Sequence, residues 1–128
     1  MHSRLDIEQV TALLAASALV TPWRILIADE TANRAVYRIR CQLLRPDYRP
    51  EIRFIQTEKE ILYSYQLFTD KPLLRRDNAP HFPALQSFPH HVHEETLEVK
   101  ESSLTGDPLQ DLPHILNQVG LFLAQPPE

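Results

Sequence analysis

Four of the six histidines, His81, His90, His91 and His93, fall within thirteen positions of one another, on a stretch stiffened by Pro80, Pro83 and Pro89. Imidazole changes its charge close to neutral pH, so such a group can both take and give a proton under physiological conditions. In an extended segment His91 and His93 project to one side and His90 to the other. At most two members of the tract then converge easily, and His81 has to come round to join them. Three chemistries are open. In the first, a histidine pair works on RNA: one ring takes the 2'-hydroxyl proton, another protonates the leaving 5'-oxygen, and an arginine stabilises the charged phosphorane. In the second, His91 and His93 ligate a divalent metal or haem together with His81 or Glu95. In the third, the imidazoles only hydrogen-bond an irregular loop whose backbone would otherwise lack partners.

The neighbours of the tract carry the same choice between chemistry and structure. Asp77 and Asn78 are natural turn-formers ahead of Ala79 and Pro80, and they either fix the loop or let Asp77 orient a histidine. Arg75 and Arg76 come directly before them, and Arg76 is the candidate phosphate holder. Arg38 and Arg40 read as a solvated strand face or as an RNA-binding one. Tyr63 and Tyr65 share a face and are either core residues or stacking platforms for bases, whereas Trp23 reads as core.

Hydrophobic periodicity supplies the elements that must hold these groups. Asp6 caps a helix running to about Ser17, with Ile7, Val10, Leu13 and Leu14 as its apolar stripe. Strand-like alternation follows over Trp23–Ile27 and Arg34–Leu44, then over Ile52–Thr57 and Ile61–Phe68. A turn at Thr69-Asp70-Lys71 leads into Leu73–Arg76. Residues 77–93 have no periodicity and read as one long loop ordered by Phe82, Leu85 and Phe88. Leu97 and Val99 form a further short strand. Leu112, Ile115, Leu116, Val119 and Leu123 line a closing helix, with Asp111 as its cap, Pro113 in its first turn and 124–128 as a frayed tail. The expected fold class is α+β: an N-terminal helix, an antiparallel meander of four to six strands, a long Pro/His-rich loop and a C-terminal helix. One sheet face is covered by the helices, and the arginine-bearing face points outward.

A chain of 128 residues with 43% hydrophobic and 23% charged side chains fits one soluble domain over 1–128 and excludes disordered and fibrous classes. Cys41 is the single cysteine, which rules out an internal disulfide and makes a reducing, cytoplasmic setting the simpler expectation. The apolar run Leu13–Val20 is too short for a membrane span. The net charge of −4 hides an asymmetry. Residues 1–76 carry 12 of the 13 basic side chains against 9 acidic ones, while 77–128 carry 1 basic and 8 acidic. The cations available for a nucleic acid are thus in the strands before the histidines.

Arg76-Asp77-Asn78-Ala79-Pro80-His81, then Phe88-Pro89-His90-His91-Val92-His93, preceded by Tyr63-Ser64-Tyr65, resembles the TumE-like family of small bacterial and archaeal toxin components. The family pattern is roughly Y-x-Y-H-W, D-N-A-P-H-H and F-P-H-H-K-H. The resemblance implies a toxin acting on RNA, encoded beside a small antitoxin that often has a helix-turn-helix. Its matching residues are Tyr63, Tyr65, Asp77, Asn78, Ala79, Pro80, His81, Phe88, Pro89, His90, His91 and His93. Joined to the reading of the residues above, it gives the leading expectation: an endoribonuclease without a cofactor, with His81, His90, His91 and His93 as acid–base groups, Asp77 and the phosphate-holding Arg76 beside them, and Asn78, Tyr63, Tyr65, Arg38 and Arg40 in binding. The chain departs from the pattern at Gln66, where the family often has histidine, at Phe82, where it has a second histidine, and at Val92, where it has lysine. No membrane role is expected, and an exposed meander edge leaves a homodimer open.

Overall fold

The computed structural model describes residues 5–17, 20–31, 33–43, 47–94 and 98–124. A helix, α1 (Ile7–Ala16), precedes seven strands: β1 (Val20–Glu30), β2 (Ala35–Leu43), β3 (Arg49–Gln56), β4 (Ile61–Phe68), β5 (Pro72–Asp77), β6 (His91–Glu94) and β7 (Val99–Glu101). A second helix, α2 (Pro108–Leu123), closes the chain. The strands form one sheet in sequence order, every neighbouring pair antiparallel. Among the described residues no helix is long and apolar enough to cross a membrane.

Period-two alternation sets the two faces of this sheet. In β2 the residues Tyr37, Ile39, Cys41 and Leu43 are all buried. The register carries that face across the sheet, with Tyr37 opposite Phe54 and Phe54 opposite Tyr63, and Ile39 opposite Ile52 and Ile52 opposite Tyr65. Phe54 and Tyr65 meet edge to face, ring centroids 5.8 Å apart. Val10 and Leu14 of α1 and Leu112, Ile115 and Val119 of α2 belong to the same core. Both helices start with an aspartate: Asp6 accepts from the Glu8 and Gln9 amides, and Asp107 accepts from the Leu109 amide.

The opposite face carries Arg38, Glu51, Arg53, Ser64, Gln66, Arg75 and Asp77, which are register partners across β2 to β5. Glu51 is held between two arginines, 2.7 Å from Arg38 and 3.1 Å from Arg40. Burial alone would raise its pKa, but hydrogen bonds from both guanidiniums keep its carboxyl below the usual range. Arg53, the next arginine along this face, is exposed.

Several expectations change. The sheet has seven strands rather than four to six. The supposed loop 77–93 is cut at both ends, since Asp77 closes β5 and His91–Glu94 is a strand, leaving 78–90 irregular. Four residues with two histidines carry almost no strand signal of their own, and pairing with β5 and β7 creates the strand. Helix α2 starts at Pro108, so Asp111 lies in its first turn instead of capping it, and Pro113 falls in the second turn. The Asp111 carboxylate reaches back to the Thr105 and Gly106 amides and the Thr105 hydroxyl, at 2.8–3.0 Å. Phe88 stays 43% exposed instead of packing. The Trp23 side chain, Glu95, Leu97 and residues 125–128 of the tail lie outside what the structure describes.

Candidate functional site

Strand β5 is paired on both sides, and this brings the chemistry together. Asp77 is opposite Ser64 on β4 and opposite His91 on β6, while Arg75 is opposite Gln66 and His93. All of these point to the arginine-bearing face. His91 Nε2 lies 2.9 Å from Asp77 Oδ1, and His93 Nε2 lies 3.8 Å from Oδ2. Arg75 Nε is 2.9 Å from the same Oδ2, and Arg75 Nη2 is 3.2 Å from His93 Nε2. The loop completes the site. Phe82 sets its ring edge-on to His91 and His93, with centroids 4.8 and 5.6 Å away, and leaves His91 only 1% exposed.

Two proton positions follow from the partners. His91 Nδ1 is 3.0 Å from the Pro89 carbonyl, which can only accept, so Nδ1 is the protonated nitrogen there. A guanidinium can only donate, so His93 Nε2 accepts from Arg75 and carries a lone pair. Burial, followed by the nearby Arg75 and His91, lowers the His93 pKa below the ordinary 6.5, against an opposing pull from Asp77. His81 is exposed and acts electrostatically on His93. With Arg53, Arg75 and Asp77 it lines a cleft of about 290 Å³ floored by Ile55 and Leu62.

The other sequence candidates lie elsewhere. Arg76 is opposite Tyr65 and Val92, on the helix-covered side, where burial lowers its pKa. The neighbouring Arg75 is therefore the cation of the site; strand alternation carried through Asp77 puts 75 and 77 on one side and 76 on the other. His90 also turns to the helix side, with its Nδ1 2.8 Å from the Tyr63 hydroxyl and its ring 3.3 Å from where a Cβ on Gly106 would sit. Burial lowers its pKa as well. Tyr63 and Tyr65, at 4% and 3% exposure, are core residues with no free ring face for a base. Burial pushes both phenol pKa values up.

A family model for toxin TumE matches residues 10–121, from the first helix through the histidine tract into α2. The chain belongs to the TumE toxin family. Searches among curated proteins and among solved structures found no match. The departures from the TumE pattern have distinct positions here. Val92 is 5% exposed on the helix side, so the lysine it replaces would not stand beside His93 on the open face. Phe82, in place of a histidine, packs on the two rings that remain.

The loop is pinned where the site needs it. Asp77 Oδ1 accepts from the Ala79 amide, and Asn78 bridges to β4, its Oδ1 accepting from Tyr63 N and its Nδ2 donating to Ile61 O, each at 2.9 Å. At the far end Glu101 accepts from the Gln86 and Ser87 amides, and those bonds hold its carboxyl below the usual range. Asn78→Ala leaves a buried amide and a carbonyl unpaired. The expected loss is about 1–3 kcal/mol, seen as a lower urea midpoint at unchanged slope; an unchanged midpoint would refute the bridging role.

Proposed function

We propose that this toxin acts on RNA as an endoribonuclease that needs no metal, with His93 as general base, His81 as general acid and Arg75 as the phosphate-holding cation. The observation that carries this reading is the His93–Arg75–Asp77 group on the open, arginine-bearing sheet face, where a lone pair and a cation stand side by side. The phosphate draws the Arg75 guanidinium off His93 Nε2, the 2'-hydroxyl proton passes to the freed nitrogen, and the oxygen attacks phosphorus. The bond from phosphorus to the 5'-oxygen breaks, and His81 supplies the proton to that oxygen, leaving a 2',3'-cyclic phosphate and a free 5'-hydroxyl. Asp77 and His91 are positioning residues behind this pair. The cleft beside His81 offers an apolar floor for a base, and Arg53 at its rim extends the track for the backbone. Membership of a toxin family implies an antitoxin partner, and a helix-turn-helix protein fits the resemblance. We assign its action to the cytoplasm, where its RNA would be met.

The test is induction in a bacterial host, followed by end analysis of RNA treated with purified protein in chelator. Growth arrest and cyclic phosphate ends in excess EDTA are the expected results, whereas intact RNA under all conditions removes the reading. RNA affinity should fall steeply with added salt, because Arg53 and Arg75 would bind through phosphate charge; salt-independent binding is the contrary result.

A further inference from the structure

We propose that Asp77, His91 and His93 form a binding site for one zinc-like divalent cation, and that its occupancy silences the toxin. One ligand atom from each of the three residues lies within 4.8 Å of the others. His91 Nδ1 is committed to the Pro89 carbonyl, so the nitrogen left to ligate a cation is Nε2, 2.9 Å from Asp77 Oδ1. That buried nitrogen makes no hydrogen bond of ordinary geometry. His93 Nε2, whose lone pair accepts from Arg75 Nη2, lies 3.8 Å from the same carboxylate. Three acceptors thus converge, with Arg75 as the cation nearest to them. The bond from Nδ1 to a backbone carbonyl is the arrangement that fixes a metal-binding imidazole in its tautomer and orientation.

Tetrahedral zinc, with bonds of about 2.0–2.1 Å, needs ligands about 3.3 Å apart. His91 and Asp77 are already near that separation. The His93 side chain, 26% exposed and 3.8 Å from Asp77 Oδ2, closes the set by a small turn of its ring away from Arg75. Two imidazoles and a carboxylate leave a fourth position open to water. Arg75 opposes the cation by charge while bonding to Asp77 Oδ2, so its removal changes the site without removing a ligand. Silencing rests on the reading of His93 as general base, because a bound cation takes the lone pair that would accept the proton.

The test is a titration of the full chain with Co²⁺ alone, read by visible absorption, followed by displacement with Zn²⁺. One cobalt per chain with four-coordinate bands, displaced by one equivalent of zinc, is expected. His93→Gln, at a partly exposed position, should weaken binding by about tenfold or more, and Arg75→Gln should retain or tighten it. No stoichiometric uptake by the wild-type chain overturns the site, as does unchanged affinity in a folded His93→Gln. Cleavage that stops at one equivalent of zinc and returns with EDTA supports silencing, and cleavage that persists at full occupancy overturns it. Binding is read without RNA, so a chain that takes up the metal but never cuts RNA keeps the site and removes the ribonuclease reading.

Discussion

His93→Ala is expected to lower RNA cleavage by about 100- to 10,000-fold, the usual contribution of a positioned acid–base group, and to abolish growth arrest. The ring is partly exposed and its bonds are to Arg75 and the site itself, so the loss should come without unfolding. His81→Ala should reduce cleavage over the same range, because its ring stands free in solvent and only the proton transfer is removed. His114, exposed on α2, is the matched control, and His114→Ala should cleave as the wild type does. The measurement is the single-turnover rate on one RNA in EDTA, with the thermal midpoint of each variant recorded beside it. A His93→Ala protein that stays folded and still cuts at the wild-type rate ends the assignment.

Asp77→Ala is expected to destabilise the fold by about 3 kcal/mol. The carboxylate is buried, accepts from the Ala79 amide at 3.0 Å and lies 2.9 Å from a histidine that is 1% exposed. Its deletion leaves the Ala79 amide without its acceptor and opens a gap beside the buried His91 ring. The contact with Arg75 adds little to this figure, because the arginine side chain is 45% exposed and solvent screens it. Asp77→Asn can retain an oxygen for the Ala79 amide and should lose less stability, yet it should lose cleavage to a similar extent, since Arg75 and His93 both depend on the charge. Urea unfolding of the three proteins decides: equal stability would mean that the carboxylate is not the keystone of the loop.

Much of the scaffold was legible in the chain. The alternation of Tyr37, Ile39, Cys41 and Leu43, with Arg38 and Arg40 between them, already implies a sheet with one apolar and one arginine-bearing face. Asp6 ahead of an apolar stripe implies the first helix and its start. The clustering of His81, His90, His91 and His93 pointed to the region where chemistry is possible, and the D-N-A-P-H and F-P-H-H segments pointed to the family.

Which of those groups share a face was decided by tertiary pairing. His91–Glu94 is too short and too polar to announce a strand, and it becomes one because β5 and β7 supply its hydrogen-bond partners. Once it is a strand, alternation turns His91 and His93 one way and sends His90 to Tyr63 on the other. The same rule, carried through the end of β5, exchanges Arg76 for Arg75 as the cation beside the histidines. Period and residue type are local properties and can be read along the chain. The placing of Asp77 against His91 depends on a register between segments fourteen residues apart, and only the folded sheet holds that register.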